Sequence, residues 1–225
     1  MSEFLSQIDW DAMYVAIQET LLMTVISLVI AVILGFVLGI ILYITKEDGL
    51  YPHKVIHRIL DFIINLFRAI PFIILIFLLL QFTMKIMGTM LGVKGALPAL
   101  ILSSAPFYAR MCMIALSEID KGTIEASKAM GASSWQIITK VLIPEAKPAL
   151  ISSMTVMAIS LVGYTAMAGC IGSGGLGNLA YMYGYARQNM PVMYTATFFV
   201  LVIVFIIQII GDLIVKRIDK RGSVK

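Results

Sequence analysis

Twenty-four consecutive residues, Leu21 to Ile44, carry no charge. A helix of that length rises about 36 Å at 1.5 Å per residue, enough to cross a hydrocarbon core about 30 Å thick. Within lipid the backbone must satisfy its own hydrogen bonds, so the run is read as a transmembrane helix. Four further runs fit the same template: residues 59–87, with Asp61, Arg68 and Lys85 towards the ends; 96–116, containing Arg110; 148–169; and 192–215. The expectation is an all-α integral membrane protein with five transmembrane helices. Composition leaves no competing class. Apolar residues make up 60% of the 225 and charged residues 13%, too few to solvate a globular surface or to keep a chain disordered.

From Pro148 to Ala186 there is no charge, which could be taken for two spans. Residues 169–177 hold five glycines, each costing about 1 kcal/mol relative to alanine inside a helix, so a loop or re-entrant turn is expected there. The first twenty residues contain Glu3, Asp9, Asp11 and Glu19 but no Lys or Arg. That is unlike the basic start of a secretory signal, and the first apolar run reads as a span.

The basic residues set the orientation. With the N-terminus outside, twelve of the seventeen Lys and Arg fall in cytoplasmic segments: Lys46, Lys54 and Arg58; Lys121, Lys128, Lys140 and Lys147; Lys216, Arg217, Lys220, Arg221 and Lys225. The positive-inside rule therefore places the N-terminus out and the C-terminus in the cytoplasm. It also accounts for the net charge of +4 without nucleic acid, which is not expected as a partner.

Residues that interrupt the spans have structural and functional readings side by side. Pro71 and Pro106 either kink helices for packing or bend them around a path. Arg68 and Arg110 either snorkel to the inner headgroups or pair between helices. Gly35 and Gly39 form a GxxxG pattern suited to close helix approach. His53 and His57 stand at i, i+4 but lack the Glu and third ligand of a zinc helix, so no metal site is expected and the segment reads as a linker. Cys112 and Cys170 read as small apolar packers without a disulfide. No phosphate-binding loop, nucleophile elbow, dinucleotide motif or carboxylate pair is present, so no catalytic residues are expected.

Residues 118–147 form a polar cytoplasmic segment. Thr123 can cap a short helix with Glu125 in its first turn, and Gly131 can stop it. Ser133 with Gln136 reads as a capping box opening a second short helix, whose apolar face would be Trp135, Ile138 and Val141 or Leu142. Glu125, Ala126 and Ser127, with Gly131 six residues after the Glu and Pro144 nineteen after it, resemble the EAA loop of ATP-binding-cassette importer permeases. Ser127 stands where that family has a second Ala, Val141 where it has Ile, and Ile143 where it has Leu.

Beyond this loop nearly the whole chain is similar to permease subunits of methionine importers. The similarity is carried by residues 65–72, 105–110, 161–167 and 172–177. The resemblance implies a single permease domain over 1–225 in the bacterial cell membrane, with coupling helices between spans three and four. It implies a homodimer, two ATPase subunits that hold ATP and Mg, and an extracytoplasmic methionine-binding lipoprotein, and thus no cofactor in this chain. It also implies coupling to the ATPase through Glu125, Ala126, Ser127, Gly131 and Pro144. Transport of L- and D-methionine by alternating access is the expected function. An importer of another amino acid is the alternative, and a secondary transporter is disfavoured because no repeat is evident and the carboxylates Asp61 and Asp212 lie near span ends. The fourth span is rich in small and polar residues where the fifth is Val, Ile, Leu and Phe. That contrast places the fourth at the dimer centre, with Met157, Gly163, Tyr164 and Met167 as path candidates.

Overall fold

The computed structural model describes residues 6–219; Glu3 and the basic tail residues Lys220, Arg221 and Lys225 lie outside the described residues. Every regular element among the described residues is helical. Helix α1 (Trp10–Ile44) runs eleven residues further towards the N-terminus than the charge-free run, because Asp9 caps it by accepting a hydrogen bond from Ala12 N at 3.0 Å. Helix α4 (Gly92–Ser117) absorbs both Pro98 and Pro106 without a break. Helix α8 (Met190–Ile218) matches the fifth expected run.

The expected second span is a broken pair. Helix α2 (Lys54–Ala69) and helix α3 (Phe72–Met87) meet at a bend of 107°. The cause is Pro71: proline drives its predecessor out of the helical region, and Ile70 is extended at φ −77°, ψ 121°. Residues 54–58 thus belong to a helix rather than a linker. His53 Nδ1 caps it by accepting from Ile56 N, and the His57 ring bonds Leu42 O at 3.0 Å.

The fourth span also departs from expectation. Helix α6 begins at Ser134 rather than Pro148 and runs unbroken to Gly169. It absorbs Pro144 through a π-helical stretch, Ile137–Leu142, in which Ile143 N bonds Ile138 O. The wider turn makes room for the proline ring beside the preceding carbonyls. The glycine-rich stretch turns back as expected. Gly172, Gly174 and Gly175 have positive φ, and helix α7 (Gly175–Asn178) follows with a π-helical continuation, Leu179–Tyr185.

Helices α1 and α4 pack along most of their length, with α6 against both and α8 against α6. The GxxxG pair makes the α1–α4 approach possible. A Cβ on Gly35 would lie 2.6 Å from Ala105 O, and one on Gly39 would lie 2.6 Å from Cys112 Cβ. Met23, Leu100, Tyr108, Met157 and Leu161 fill the middle of the bundle. Cys112, Leu116, Ile137 and Leu142 close the end that carries Lys46, Lys121 and Lys140, here termed the basic end. Val162, Leu176, Val192 and Ala196 lie in a third cluster joining α6, α7 and α8. The outward face of α1 (Val25, Val29, Ile33, Val37) and of α8 (Phe198, Phe205, Ile209) is apolar and exposed, the inverse of a water-soluble surface and suited to lipid. Cys112 is buried, whereas Cys170 is exposed and does not pack as expected.

Candidate functional site

At the basic end, helix α5 (Lys121–Ala129) forms the segment that the sequence marks for coupling. Its cap is Asp120 rather than Thr123: the Asp120 carboxylate accepts from Thr123 N at 3.3 Å, one turn earlier than expected. Ser127 turns inward, donating to Thr123 O at 2.8 Å, while Glu125 and Ala126 are exposed. The stop at Gly131 is a paired backbone clasp. Gly131 N bonds Lys128 O at 2.9 Å and Ala132 N bonds Ser127 O at 3.1 Å, with Gly131 left-handed at φ +81°. Ser133 and Gln136 then exchange both capping-box bonds, at 2.8 and 3.3 Å, and start α6.

This elbow differs from two independent short helices. Ile137, Ile138 and Leu142 are the buried face, and Trp135 points away from it. Met130 is 81% exposed and Trp135 71%, the two most exposed large apolar side chains on the elbow, flanking Gly131. Pro144 is exposed on α6, just past the π-helical stretch. The elbow is held to the α1–α2 connection through Asp48, which accepts from Lys121 Nζ at 2.7 Å and lies 3.5 Å from Lys46 Nζ. The Lys121 hydrogen bond, with Lys46 beside it, holds the Asp48 carboxyl below the usual carboxylate range. The same bond raises Lys121. Sequence reading missed Asp48, since nothing local marks a loop carboxylate as the partner of a lysine 73 residues away.

The path candidates separate. Met157 is buried in the core and faces away from the open side of α6. Gly163 and Met167 are exposed, aligned with Ser152, Val156 and Cys170 on one stripe. Nothing lies within 4 Å of a Cβ built on Gly163. Tyr164 is half-buried beside that stripe and stacks on Phe72 with ring centroids 4.8 Å apart and planes 14° apart.

Two polar clasps complete the frame. Arg110 Nη2 reaches Asp61 Oδ1 at 2.5 Å and Asn65 Oδ1 at 2.9 Å, and Asn65 Nδ2 donates to Asp61 Oδ2 at 2.9 Å. Arg110 therefore pairs α4 with α2, the interhelical alternative to snorkelling. At the opposite end Glu19 and Thr20 of α1 accept from Gly175 N (2.6 Å) and Leu176 N (2.9 Å), pinning the glycine-rich turn. A Cβ at Gly175 would meet Thr20 Oγ1 at 2.7 Å, so this positive-φ glycine is also a point of close approach to α1. The glycine cluster gave away the turn; the clasping carboxylate left no local signal. Among the described residues, no group of three or more His, Cys, Asp or Glu is arranged to hold a metal.

A bundle of long apolar helices with a capped polar elbow at one end has the architecture of a transporter's membrane subunit. The family model described as binding-protein-dependent transport system inner membrane component matches residues 35–221, and the chain belongs to that family of multi-pass inner-membrane proteins.

The chain is 58% identical to the methionine import system permease protein MetP of Bacillus subtilis (strain 168), across 97% of this chain and 99% of that one. It is 41% identical to the probable D-methionine transport system permease protein MetI of Pasteurella multocida (strain Pm70), across 94% and 98%. Among solved structures it superposes on a chain of the MetNI methionine ABC transporter in inward-facing conformations, with TM-score 0.90 and 42% identity over 92% and 96% of the two chains. A chain of an amino acid ABC transporter crystallised with histidines, at 18% identity and TM-score 0.80, shares the fold.

Proposed function

We propose that this chain is the membrane-spanning permease subunit of an ATP-driven methionine importer, working by alternating access. In this reading the N-terminus is outside and the basic end faces the cytoplasm. Two copies pair across the open stripe of α6. Two separate ATPase subunits, carrying ATP and Mg, dock on the elbows, and an extracytoplasmic methionine-binding lipoprotein delivers substrate.

The observation that carries the reading is the elbow itself. It presents Met130 and Trp135 outside the apolar spans, where an exposed apolar pair calls for a protein partner. Glu125, Ala126 and Gly131 form the surface beside that pair. From the elbow, α6 continues as one rod of 36 residues, about 54 Å long at 1.5 Å per residue, past Gly163 and Tyr164. A push on the elbow by a closing ATPase is therefore carried along one continuous helix to the level of the path. The π-helical stretch Ile137–Leu142, followed by Pro144 and Pro148, is where the rod departs from regular α-helical hydrogen bonding. Family membership and the methionine permeases that align over nearly the full chain support the substrate assignment.

Co-purification tests the reading against a secondary transporter. Tagged permease expressed with its candidate ATPase should retain that ATPase through detergent extraction, and Trp135→Ala should weaken retention. A permease that transports in its absence contradicts the proposal.

A further inference from the structure

We infer that Arg68 and the aromatic cavity beside it form a mid-path binding site for an α-amino acid with an apolar side chain. The guanidinium takes the carboxylate, and Phe72 and Tyr164 take the side chain. The inference rests on the importer reading and deepens it.

A cavity of about 130 Å3 opens where α2 breaks, lined by Arg68, Phe72, Ser103, Phe107 and Tyr164. Three elements converge there: the α2–α3 bend, the middle of α4, and α6 beside its open stripe. Ser103 lies 11 residues from Gly92 and 14 from Ser117, so the cavity sits about 16 Å and about 21 Å from the two ends of α4. Arg68 is exposed and lines this cavity, level with the middle of α4 rather than with either of its ends.

The two intramembrane arginines then differ sharply. Arg110 is paired with Asp61 and Asn65 through Nη2. Arg68 has no hydrogen-bond or ion-pair partner among the described residues. A guanidinium at mid-depth is costly, and such residues mark substrate paths. Arg68 stands in the last turn of α2, whose C-terminal carbonyls partly offset its charge while leaving its donors free. Its planar fork matches a carboxylate in two parallel hydrogen bonds.

The facing wall is aromatic. The stacked Phe72–Tyr164 pair and Phe107 offer ring surfaces to a flexible apolar side chain, and a thioether makes favourable contacts with such rings. Tyr164 and Ser103 add hydroxyls suited to the substrate ammonium. The break that makes α2–α3 a poor span thus holds a charge against an aromatic wall at mid-membrane.

The test uses the complete transporter in lipid vesicles, with Cys112→Ala and Cys170→Ala and a reporter cysteine, Ser103→Cys or, in a second version, Phe107→Cys. The rate of reaction with a small polar thiol reagent is measured with L-methionine or with methioninol, in which the carboxylate is reduced to an alcohol. L-methionine should slow the reaction. Methioninol should need a concentration on the order of ten- to a hundredfold higher, the ratio for losing a charge-assisted hydrogen-bond pair. Arg68→Gln should erase that difference and Arg68→Lys restore part of it.

Equal protection by methioninol, full discrimination in Arg68→Gln, or no protection of either reporter would overturn the inference. So would dissociation of permease copies by Arg68→Gln, measured by light scattering, because Arg68 would then pair with the second copy. ATP-driven methionine uptake into the same vesicles separates the two readings. Uptake without protection defeats the mid-path site alone, and absence of uptake in the unsubstituted complex defeats the importer reading.

Discussion

Replacing Gly39 with Leu should lower the melting temperature by about 4–8 °C, and the reason is visible at the α1–α4 contact. A Cβ at Gly39 would lie 2.6 Å from Cys112 Cβ and 2.7 Å from Ala109 O. Ordinary carbon contacts sit at ~3.5–4.0 Å, so the first added atom is already about 1 Å too close. The obstacles are a Cβ and a main-chain oxygen, neither of which can rotate away, so α1 and α4 must separate. Overpacking of this kind costs ~1–3 kcal/mol, and the further carbons of leucine push it to the upper end. The gain in helix propensity over glycine returns about 1 kcal/mol, leaving a net loss of about 2. At about 2–4 °C per kcal/mol for a chain of this size, that gives the stated shift. Val37→Leu is the control: two residues away and 52% exposed, it should stay within about 0.5 kcal/mol. The assay is the fraction of detergent-solubilised permease that remains monodisperse after heating. If Gly39→Leu melts no lower than Val37→Leu, the close α1–α4 approach is wrong.

Three further outcomes follow from the other contacts. Asp61→Asn should cost about 1.5–3 kcal/mol in the same assay, because it removes the charged acceptor from a guanidinium that is 18% exposed; a double-mutant cycle with Arg110→Gln should show that most of this loss is shared. Gly131→Val should reduce ATP-coupled uptake while leaving the bundle folded, since a β-branched residue at φ +81° is strained and the clasp that sets the elbow would shift; unchanged coupling would contradict the elbow's role. Asp48 has its pKa lowered by Lys121, so its contribution to holding the elbow is present above the unfolded carboxylate range and is lost as pH falls through its folded value. Stability measured from neutral to acidic pH should therefore decline on the acid side less steeply in Asp48→Asn, with the two proteins parallel near neutrality.

What could be read from the sequence divides along physical lines. The apolar runs and the glycine-rich turn were legible because lipid leaves a helix few alternatives and because five glycines in nine residues oppose one. The capping box at Ser133 and the stop at Gly131 were legible because both are local. The cap of α5 was misplaced by one turn because Asp120 and Thr123 both suit the role, and the carboxylate won. Pro71 announced a kink, but its size depends on packing around the bend; Pro98 and Pro106 carry the same local signal and leave α4 whole. The fourth span was expected to start at residue 148, yet the helix begins at Ser134 and takes in Pro144 just past a π-helical stretch. The elbow's continuity with α6 could not be read for that reason. At the candidate path, composition singled out α6, but its helical phase decides which residues face outward. That phase separates buried Met157 from exposed Gly163 and Met167. The long-range partners, Asp61 for Arg110 and Glu19 for Gly175, are fixed by tertiary structure alone.

The central claim is that this chain carries methionine inward only when an ATPase drives it. The direct measurement is uptake of labelled L-methionine into vesicles containing the permease, its ATPase and the binding protein, with ATP on the ATPase side. Accumulation should require ATP, cease when the ATPase is omitted, and fall when Gly131→Val disturbs the elbow. Accumulation driven by an ion gradient without the ATPase, or ATP-driven uptake of another amino acid with none of methionine, would contradict the account.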